Sequence, residues 1–376
     1  MKITELYIYP IKSLAPLSVP RTRLRREGLE HDRRFMLLKV VPGGEGYKNV
    51  QTAYMPECVL FQQQLAGAEI VVTYQVSSPP LIPEVPEQRT ALRVPLSPKL
   101  EGRDVVDVIL GGSRTAAYRM GDPYDQWFTA CFGYEVILVY IGDQGRDVLA
   151  HRPSEHRLWR QPTTQDQQQE GWLSRITAYI PGAGNAMRGG GTNGLQGKDV
   201  NNNRIEQLTF NECAPFLLTS KASLRDVSRR LPDGDEMDMR RFRPNIVVDD
   251  DDTRLKAWEE DYWAEVSVAR ESGADNEGYR LALTANCGRC ISINIDYETG
   301  RMSEGELGKV LKKLMVDRRV DEGTKYTPIF GRYAFLAPGE IGSGSEHDEG
   351  VEVAVGDEVH VTRRLDYRDT WAWPKH

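Results

Sequence analysis

The residues with the clearest chemistry are two cysteines in a short turn, Cys287 and Cys290, in the tetrapeptide Cys-Gly-Arg-Cys. Apolar residues lead into this turn, and Ile291, Ile293 and Ile295 alternate with polar residues after it, which is the period of a half-buried strand. The pattern predicts strand, tight turn and strand. A strand that carries a soft sulfur ligand out of a turn is a suitable platform for a metal or redox centre.

The spacing of these cysteines restricts the kind of centre. Structural zinc needs four ligands, but the other three cysteines stand alone and the sequence has no closely spaced histidine pair. A thioredoxin-type pair opens a helix, whereas the residues after Cys290 alternate like a strand. Two interpretations stay open: two ordinary cysteines in a turn, or one thiolate that ligates a soft metal brought by an organic cofactor.

Several cationic and hydroxyl side chains are candidates for anion binding. Lys12 and Ser13 directly follow a predicted strand, and they form either an anion site or a solvated loop. Ser220 precedes a predicted helix, where it serves as an ordinary N-cap or as part of an anion site. The charged run at 30–34 opens a strand and is either an exposed ion-pair patch or an anion site.

Arg243 and Asn245 flank Pro244, just before the apolar run at 246–248. If this segment is extended, the two side chains point the same way. A guanidinium fork and an amide suit a phosphate or the edge of a pterin. The alternative is a strand-edge ion pair beside a turn amide.

The surrounding pattern is mostly that of short strands with turn residues between them. We predict strands at 3–9, 34–41, 59–64, 69–75, 105–110, 134–141, 216–218, 246–248, 333–336 and 351–361. We predict helices at 122–132, 221–231 and 303–318, each with an apolar stripe. Cys131 falls on the apolar face of the first helix. Proline-rich residues 76–103 and glycine-rich residues 142–206 are predicted to be loops.

Composition is that of a soluble globular protein. The chain has 376 residues, 40% hydrophobic and 27% charged, with a formal net charge of −7. This charge gives no indication of nucleic-acid binding, and no apolar run reaches the roughly 20 residues of an integral membrane segment. Five dispersed cysteines indicate a reducing compartment. We therefore expect a soluble intracellular protein, with the cytoplasm as first choice.

Seven motifs together resemble the MOSC superfamily, in its two-part form with an N-terminal β-barrel domain. The chain is most similar to the amidoxime-reducing branch of that superfamily and its bacterial members. The motifs are LYIYPIKS at 6–13, DRRFMLL at 32–38, FLLTSKASLRDVSRRL at 216–231, RFRPNIVV at 241–248, CGRCISINIDYETG at 287–300, PIFGRYAFL at 328–336 and VGDEV at 355–359. The resemblance implies a mixed α+β, predominantly β fold. It implies an N-terminal MOSC-type barrel at 1–140 and a MOSC β-barrel with a few helices at 141–376.

The resemblance also implies a molybdenum–molybdopterin cofactor. Cys290 then matches the protein ligand to the metal and the catalytic residue. Lys12 and Ser13 match the loop that holds the cofactor phosphate. The further residues implied to bind the cofactor are Arg34, Ser220, Lys221, Ala222, Ser223, Arg243, Asn245 and Arg289.

The implied activity is reduction of N-hydroxylated or N-oxide small molecules. Electrons would come from a separate donor protein, such as cytochrome b5 with its reductase, and a mitochondrial association is a second choice of location. Lys221 lies where reductases of the family often have an acidic residue near the metal. The resemblance therefore does not predict how protons reach the metal site of this chain or which substrates it prefers. The alternative functions are a carrier of the cofactor or of persulfide sulfur, without reductase turnover, and a metal-free scaffold.

Overall fold

The computed structural model describes residues 1–43, 46–159, 206–250, 252, 254–269, 278–338, 340 and 350–374. Strands dominate these residues, as predicted. In chain order they are β1 (Lys2–Ile8), β2 (Leu17–Ser18), β3 (Arg21–Arg25), β4 (Gly28–Leu29), β5 (Phe35–Val40), β6 (Tyr47–Asn49), β7 (Phe61–Ala66), β8 (Glu69–Tyr74), β9 (Leu92–Pro95), β10 (Val105–Leu110), β11 (Ser113–Arg119), β12 (Val136–Tyr140), β13 (Arg146–Asp147), β14 (Gln207–Leu208), β15 (Phe216–Ser220), β16 (Ile246–Asp249), β17 (Trp263–Ala269), β18 (Tyr279–Gly288), β19 (Ile295–Asp296), β20 (Arg301–Met302), β21 (Ile329–Leu336), β22 (Val351–Ala354) and β23 (Glu358–Arg364). The described α-helices are α1 (Tyr124–Phe132), α2 (Lys221–Ser228) and α3 (Val310–Leu314).

The C-terminal part of the chain forms a closed barrel. Its strand order is β16-β15-β21-β18-β17-β23-β1, and β1 pairs with β16 to complete the ring. The β15–β16 pair is parallel and the others are antiparallel. Alternate side chains of these strands build one apolar core, which includes Trp263, Leu281 and Ile246. The barrel thereby provides a rigid support for the loops at its ends.

The N-terminal part consists of two sheets. The five-stranded sheet has the order β10-β11-β12-β5-β6, and Asn49 Nδ2 on one edge strand donates to Ile109 O on the other at 2.8 Å. This contact brings the sheet edges together around an apolar core that includes Met36 and Val108. The other face of the sheet packs on α1 and on the three-stranded sheet β7-β8-β9. The prediction of a predominantly β fold with two barrel domains and few helices is confirmed.

The first strand crosses between the two parts of the chain. Although β1 precedes the N-terminal sheets in sequence, it is a member of the C-terminal barrel. The segment after it returns to the N-terminal sheet, where Lys12 N donates to Phe35 O at 2.8 Å. The position of β1 in the C-terminal barrel therefore links the two halves of the chain. The division at residue 140 stays a prediction.

Two of the predicted helices end or begin where expected, at residues that cap them in the structure. Helix α1 ends at Gly133, which adopts the left-handed conformation with φ 75°. Helix α2 begins after Ser220, whose Oγ accepts a hydrogen bond from Ser223 N at 3.1 Å. Cys131 is buried in the core, as its position on α1 predicted.

Two element predictions were wrong. The residues after Cys290 form a 3-10 helix, Ile291–Asn294, instead of a strand. Ile293 is buried in the same core as Phe330, whereas Ile291 is 40% exposed, so tertiary packing overrides the period-two pattern. The helix predicted at 303–318 is reduced to a 3-10 turn at Leu307–Lys309 followed by α3. Gly305 has a left-handed φ of 61°, which prevents a helix from beginning at Ser303.

Two further sequence expectations concern segments with little regular structure. The region 76–103, predicted as a loop, contains the short strand β9 and a 3-10 turn at Pro86–Arg89. Most of the loop predicted at 142–206 lies outside the described residues. Within the part of the chain that the structure describes, no helix has the length and apolar character that a bilayer-spanning segment requires.

A buried carboxyl group beside α2 makes stability depend on pH. Glu260 is fully buried, and its Oε2 accepts a hydrogen bond from Ser220 Oγ at 3.1 Å. Burial, together with the negative charge of Asp261, raises the pKa of Glu260 to about 7 from an ordinary value of 4.5. The folded state therefore holds this proton more tightly than the unfolded chain does. The resulting stabilisation is complete below pH 4.5 and is lost as the pH rises through 7.

We predict that Glu260→Gln removes this dependence, because the amide stays neutral. Urea titration at each pH gives the free energy of unfolding of the variant minus that of wild type. This difference should shift in favour of the variant by about 2.5 kcal/mol between pH 5 and pH 8. Glu259→Gln is the matched control, since this neighbouring side chain is partly exposed and pairs with Arg364 at the surface. Parallel stability curves for wild type and Glu260→Gln would contradict the prediction.

Candidate functional site

A cavity of about 350 Å³ lies where the two halves of the chain meet. Both halves contribute to its wall, including the loop after β1, the segment before β15 and the turn after β18. The lining residues are Lys12, Ser13, Arg33, Gln51, Thr52, Ala53, Tyr54, Asn211, Glu212, Cys213, Ala214, Phe216, Leu217, Phe242, Arg243, Asn245, Cys287, Gly288, Arg289, Cys290, Ser292 and Tyr333. Six residues predicted as site residues are thereby brought together, namely Lys12, Ser13, Arg243, Asn245, Arg289 and Cys290.

The carboxylate of Asp32 lies behind this cavity and joins the segments that form it. Asp32 is fully buried. Its Oδ1 accepts from Tyr9 N at 2.7 Å, and its Oδ2 accepts from Asn245 Nδ2 at 3.2 Å. The Arg33 guanidinium and the Asn211 amide also donate to Oδ2. One acceptor group therefore ties four chain segments together, and each contact places a lining residue or its neighbour.

The amide of Asn245 is used within the protein. Its Nδ2 donates to Asp32 and to Tyr7 O at 3.2 Å, and its Oδ1 accepts from Leu217 N at 3.2 Å. Both amide hydrogens therefore have protein partners, with the carbonyl oxygen engaged as well. Asn245 lines the cavity, but these contacts make it a residue that positions the loop at 242–245 against β1 and β15.

Three lining residues other than glycine have positive φ angles: Ser13 at 76°, Arg33 at 50° and Arg243 at 53°. This left-handed conformation is uncommon for such residues and costs free energy unless surrounding contacts enforce it. Ser13 is held by a hydrogen bond from its Oγ to Val50 O at 2.8 Å. The condition under which Arg243 and Asn245 would point the same way is not met, because Arg243 ends a 3-10 turn in the left-handed conformation.

Two arginines are placed by one aromatic ring. The guanidinium groups of Arg33 and Arg243 each lie 4.4 Å from the ring centroid of Tyr9, at a distance that permits cation–π attraction. The Tyr9 hydroxyl donates to Pro244 O at 3.1 Å and so fixes the ring. Arg33 has a carboxylate partner in Asp32, whereas Arg243 forms no ion pair among the described residues.

Lys12 is the third cation of the cavity, and its side chain is only 5% exposed. Its Nζ donates to Glu212 Oε1. Burial lowers the pKa of Lys12, Glu212 opposes this shift, and the charge of Arg33 adds to it. Four cations therefore line the cavity. Lys12 and Arg33 are paired with carboxylates, whereas Arg243 and Arg289 form no ion pair among the described residues.

The two cysteines of the turn differ in accessibility. Cys290 is exposed, and its Sγ lies 3.1 Å from Ser292 Oγ. Cys287 is 3% exposed, and its Sγ accepts from Arg289 Nη1 at 3.0 Å. Arg289 also donates through Nη2 to Phe242 O at 2.7 Å, while its buried Nε has no partner among the described residues. Arg289 therefore joins the cysteine turn to the loop that carries Arg243.

The remaining predicted site residues lie elsewhere. Arg34 donates to Gly142 O and lies over the ring of Tyr140, and Arg33 lines the cavity in its place. The sequence did not distinguish them, because Arg33 takes a left-handed conformation with φ 50° before β5 begins, and no local pattern indicated that conformation.

The segment from Ser220 to Ser223, which includes Ala222, does not line the cavity. Ser220 contacts Glu260, and Lys221 pairs with Glu5 at 2.7 Å. Those two residues are therefore used in the packing of α2 against the barrel.

Several lining residues were not found from the sequence. They are Arg33, the segment Gln51–Tyr54, the segment Asn211–Ala214, Cys287 as a cavity residue, and Tyr333. Cys213 shows why: its thiol is isolated in sequence, and only the fold brings it to the cavity, where burial raises its pKa. Asp32 was considered only as part of a charged run, and no local pattern marks it as a buried connector.

Comparison with known protein families agrees with this two-part architecture. Residues 1–135 match the family model of the MOSC N-terminal beta barrel domain, and residues 206–360 match that of the MOSC domain. The two matched regions contain all the residues that line the cavity.

Individual relatives are similar at modest identity. Mitochondrial amidoxime reducing component 2 of Rattus norvegicus is 25% identical over 88% of this chain and 78% of its own length. Mitochondrial amidoxime-reducing component 1 of Homo sapiens is 32% identical over 37% of this chain and 38% of its own length. Molybdenum cofactor sulfurase of Homo sapiens is 22% identical over 91% of this chain, which spans 30% of that relative.

We predict that Asp32→Asn lowers the free energy of unfolding by about 3 kcal/mol. The amide nitrogen would face groups that are themselves donors, so that buried hydrogen bonds are lost. Thermal or urea unfolding measures the change. Asp317→Asn is the control, because Asp317 is 56% exposed and pairs with Arg230 at the surface, where loss of a pair costs less than about 1 kcal/mol. Equal effects of the two substitutions would show that Asp32 does not connect the site.

Proposed function

The chain belongs to the MOSC superfamily, and on that premise we propose that it is a molybdenum-cofactor-dependent reductase of N-hydroxylated or N-oxide compounds. The observation that carries the proposal is that one cavity is lined by an accessible thiol, Cys290, and by four cations, namely Lys12, Arg33, Arg243 and Arg289. The relatives named amidoxime reducing component support the choice of substrate class.

The charges of the cavity fit an anionic cofactor. Arg243 lines the cavity without a carboxylate partner among the described residues, and Arg289 has a buried Nε without an acceptor. Each guanidinium has part of its donor set engaged within the protein, Arg243 with Tyr297 Oη and Arg289 with Cys287 and Phe242, but neither has an anionic oxygen partner among the described residues. Such groups are suited to phosphate and to the oxygen and nitrogen edge of a pterin. Lys12 would add a third donor. These contacts support binding of a phosphorylated pterin along this wall.

The thiol of Cys290 fits the role of metal ligand better than the thiol of Cys287. Cys290 is exposed at the cavity, and Ser292 Oγ is its neighbour. Cys287 is buried and held by Arg289. A thiolate is a soft ligand that suits a metal carried by an organic cofactor. Cys290 is therefore our proposed metal ligand and catalytic residue.

When bound, the cofactor would supply a metal centre that exchanges two electrons and accepts an oxygen atom. The overall reaction converts an N-hydroxylated compound, two electrons and two protons into the reduced amine-type product and water. The protein would bind the cofactor through Lys12, Arg243 and Arg289, hold the metal through Cys290 and keep the loops in place through Asp32. Electrons would arrive from a separate redox protein, such as cytochrome b5 with its reductase.

A second candidate function is a carrier of the cofactor or of persulfide sulfur. Its specific support is the exposed thiol of Cys290, together with the similarity to molybdenum cofactor sulfurase along 91% of this chain. A carrier would release its cofactor readily, or would hold a sulfane sulfur on Cys290, and would show no reductase turnover.

We predict near-stoichiometric molybdenum and pterin in protein purified from a host that makes the cofactor. Cys290→Ala should lose most of the metal and all reduction of an N-hydroxylated test substrate, because the proposed ligand is missing. Cys287→Ala is the matched control in the same turn and should retain most of both. Elemental analysis, pterin fluorescence and a turnover assay with a reduced one-electron donor measure these quantities.

The outcomes separate the candidate functions. Bound cofactor without turnover, or sulfane sulfur on Cys290, would favour the carrier. Absence of metal and pterin from correctly folded wild-type protein would contradict both. Equal metal content and turnover in wild type and Cys290→Ala would remove Cys290 from the site.

A further inference from the structure

Glu212 is the single carboxylate among the described residues that line the cavity. Its Oε1 accepts a hydrogen bond from Lys12 Nζ, and its side chain is 52% exposed, whereas that of Lys12 is 5% exposed. The exposed Glu212 carboxylate therefore covers the ammonium group of the buried Lys12 on the side that faces the cavity. A negatively charged ligand that approaches Lys12 meets this carboxylate first.

We propose that Glu212 holds the place of a ligand phosphate on Lys12, so that a phosphate group binds this end of the cavity only by displacing the Glu212 carboxylate. The inference deepens the proposed function and rests on it, since it takes the ligand of the cavity to carry a phosphate. It assigns to Glu212 a role in setting how tightly such a ligand is held.

The surroundings of Glu212 allow its side chain to move while its backbone stays. Glu212 O accepts from Arg146 Nη2 at 3.3 Å. Arg146 is 1% exposed and also donates to Thr209 O at 2.8 Å and to Leu110 O at 2.7 Å. The segment is thus fixed through its carbonyl groups, and the half-exposed carboxylate has room to leave Lys12.

Electrostatics favour exchange over joint binding. Two anions on one ammonium group repel each other strongly in a partly dehydrated cavity. Departure of Glu212 without a replacement would leave Lys12 buried beside the cation Arg33, which already lowers the pKa of Lys12. A phosphate carries more charge than a carboxylate and would also attract Arg243, which has no carboxylate partner among the described residues. Loss of one anion and entry of the other are therefore coupled.

The test uses the 376-residue chain from a host that does not make the cofactor, with inorganic phosphate as the probe in isothermal titration calorimetry. Glu212→Gln keeps the shape and removes the charge, and it should bind phosphate at least tenfold more tightly than wild type, which is about 1.4 kcal/mol. Glu306→Gln is the matched control, because Glu306 pairs with Lys309 and Lys313 at the surface. It should bind phosphate as wild type does, and Lys12→Met should not bind it.

Equal or weaker phosphate binding by folded Glu212→Gln overturns the inference, as does absence of binding by both proteins. Circular dichroism checks the fold, and Glu212→Ala provides a second variant that should change affinity in the same direction. The proposed function fails separately, by absence of molybdenum and pterin from wild-type protein made in a cofactor-competent host. That result leaves the phosphate comparison intact.

Discussion

The buried carboxylate of Asp32 is the contact on which the candidate site depends. It accepts hydrogen bonds from its neighbour Arg33 and from three segments that are far apart in sequence, at Tyr9, Asn211 and Asn245. A buried anion is tolerated only when donors surround it. The donors are therefore held in place by the requirement to satisfy Asp32, and the cavity forms on their other side.

This arrangement explains why strained backbone and uncompensated charge occur together. Ser13, Arg33 and Arg243 all have positive φ angles, and all line the cavity. Contacts to Val50, to Asp32 and to the ring of Tyr9 hold these conformations. The free-energy cost is offset by the packing of the C-terminal barrel, which includes β1, against the N-terminal sheets that the following segment joins. The same rigidity keeps Arg243 and Arg289 at the cavity without carboxylate partners, which favours an anionic ligand.

Local sequence patterns were informative where short-range physics decides the outcome. The capped start of α2 at Ser220, the end of α1 at Gly133 and the strand character of the barrel follow from propensities within a few residues. The helix predicted at 303–318 begins later than predicted because Gly305 is in the left-handed conformation, and it ends early at Leu314. The strand predicted after Cys290 failed because burial of Ile293 in the core selects a 3-10 turn. In both cases the apolar residues were recognised but their conformation was not.

The order of motifs along the sequence, through its resemblance to the MOSC superfamily, determined the fold class and predicted one shared site for Lys12, Ser13, Arg243, Asn245, Arg289 and Cys290. Residue chemistry alone left each of these positions open between a binding role and a structural one. Only the tertiary structure decided which neighbours face the cavity. It placed Arg33 there instead of Arg34, moved the Ser220–Ser223 segment away, and brought Glu212 onto Lys12. The physical reason is that side-chain direction at a strand end, and contact between residues 200 positions apart, depend on packing that no local pattern records.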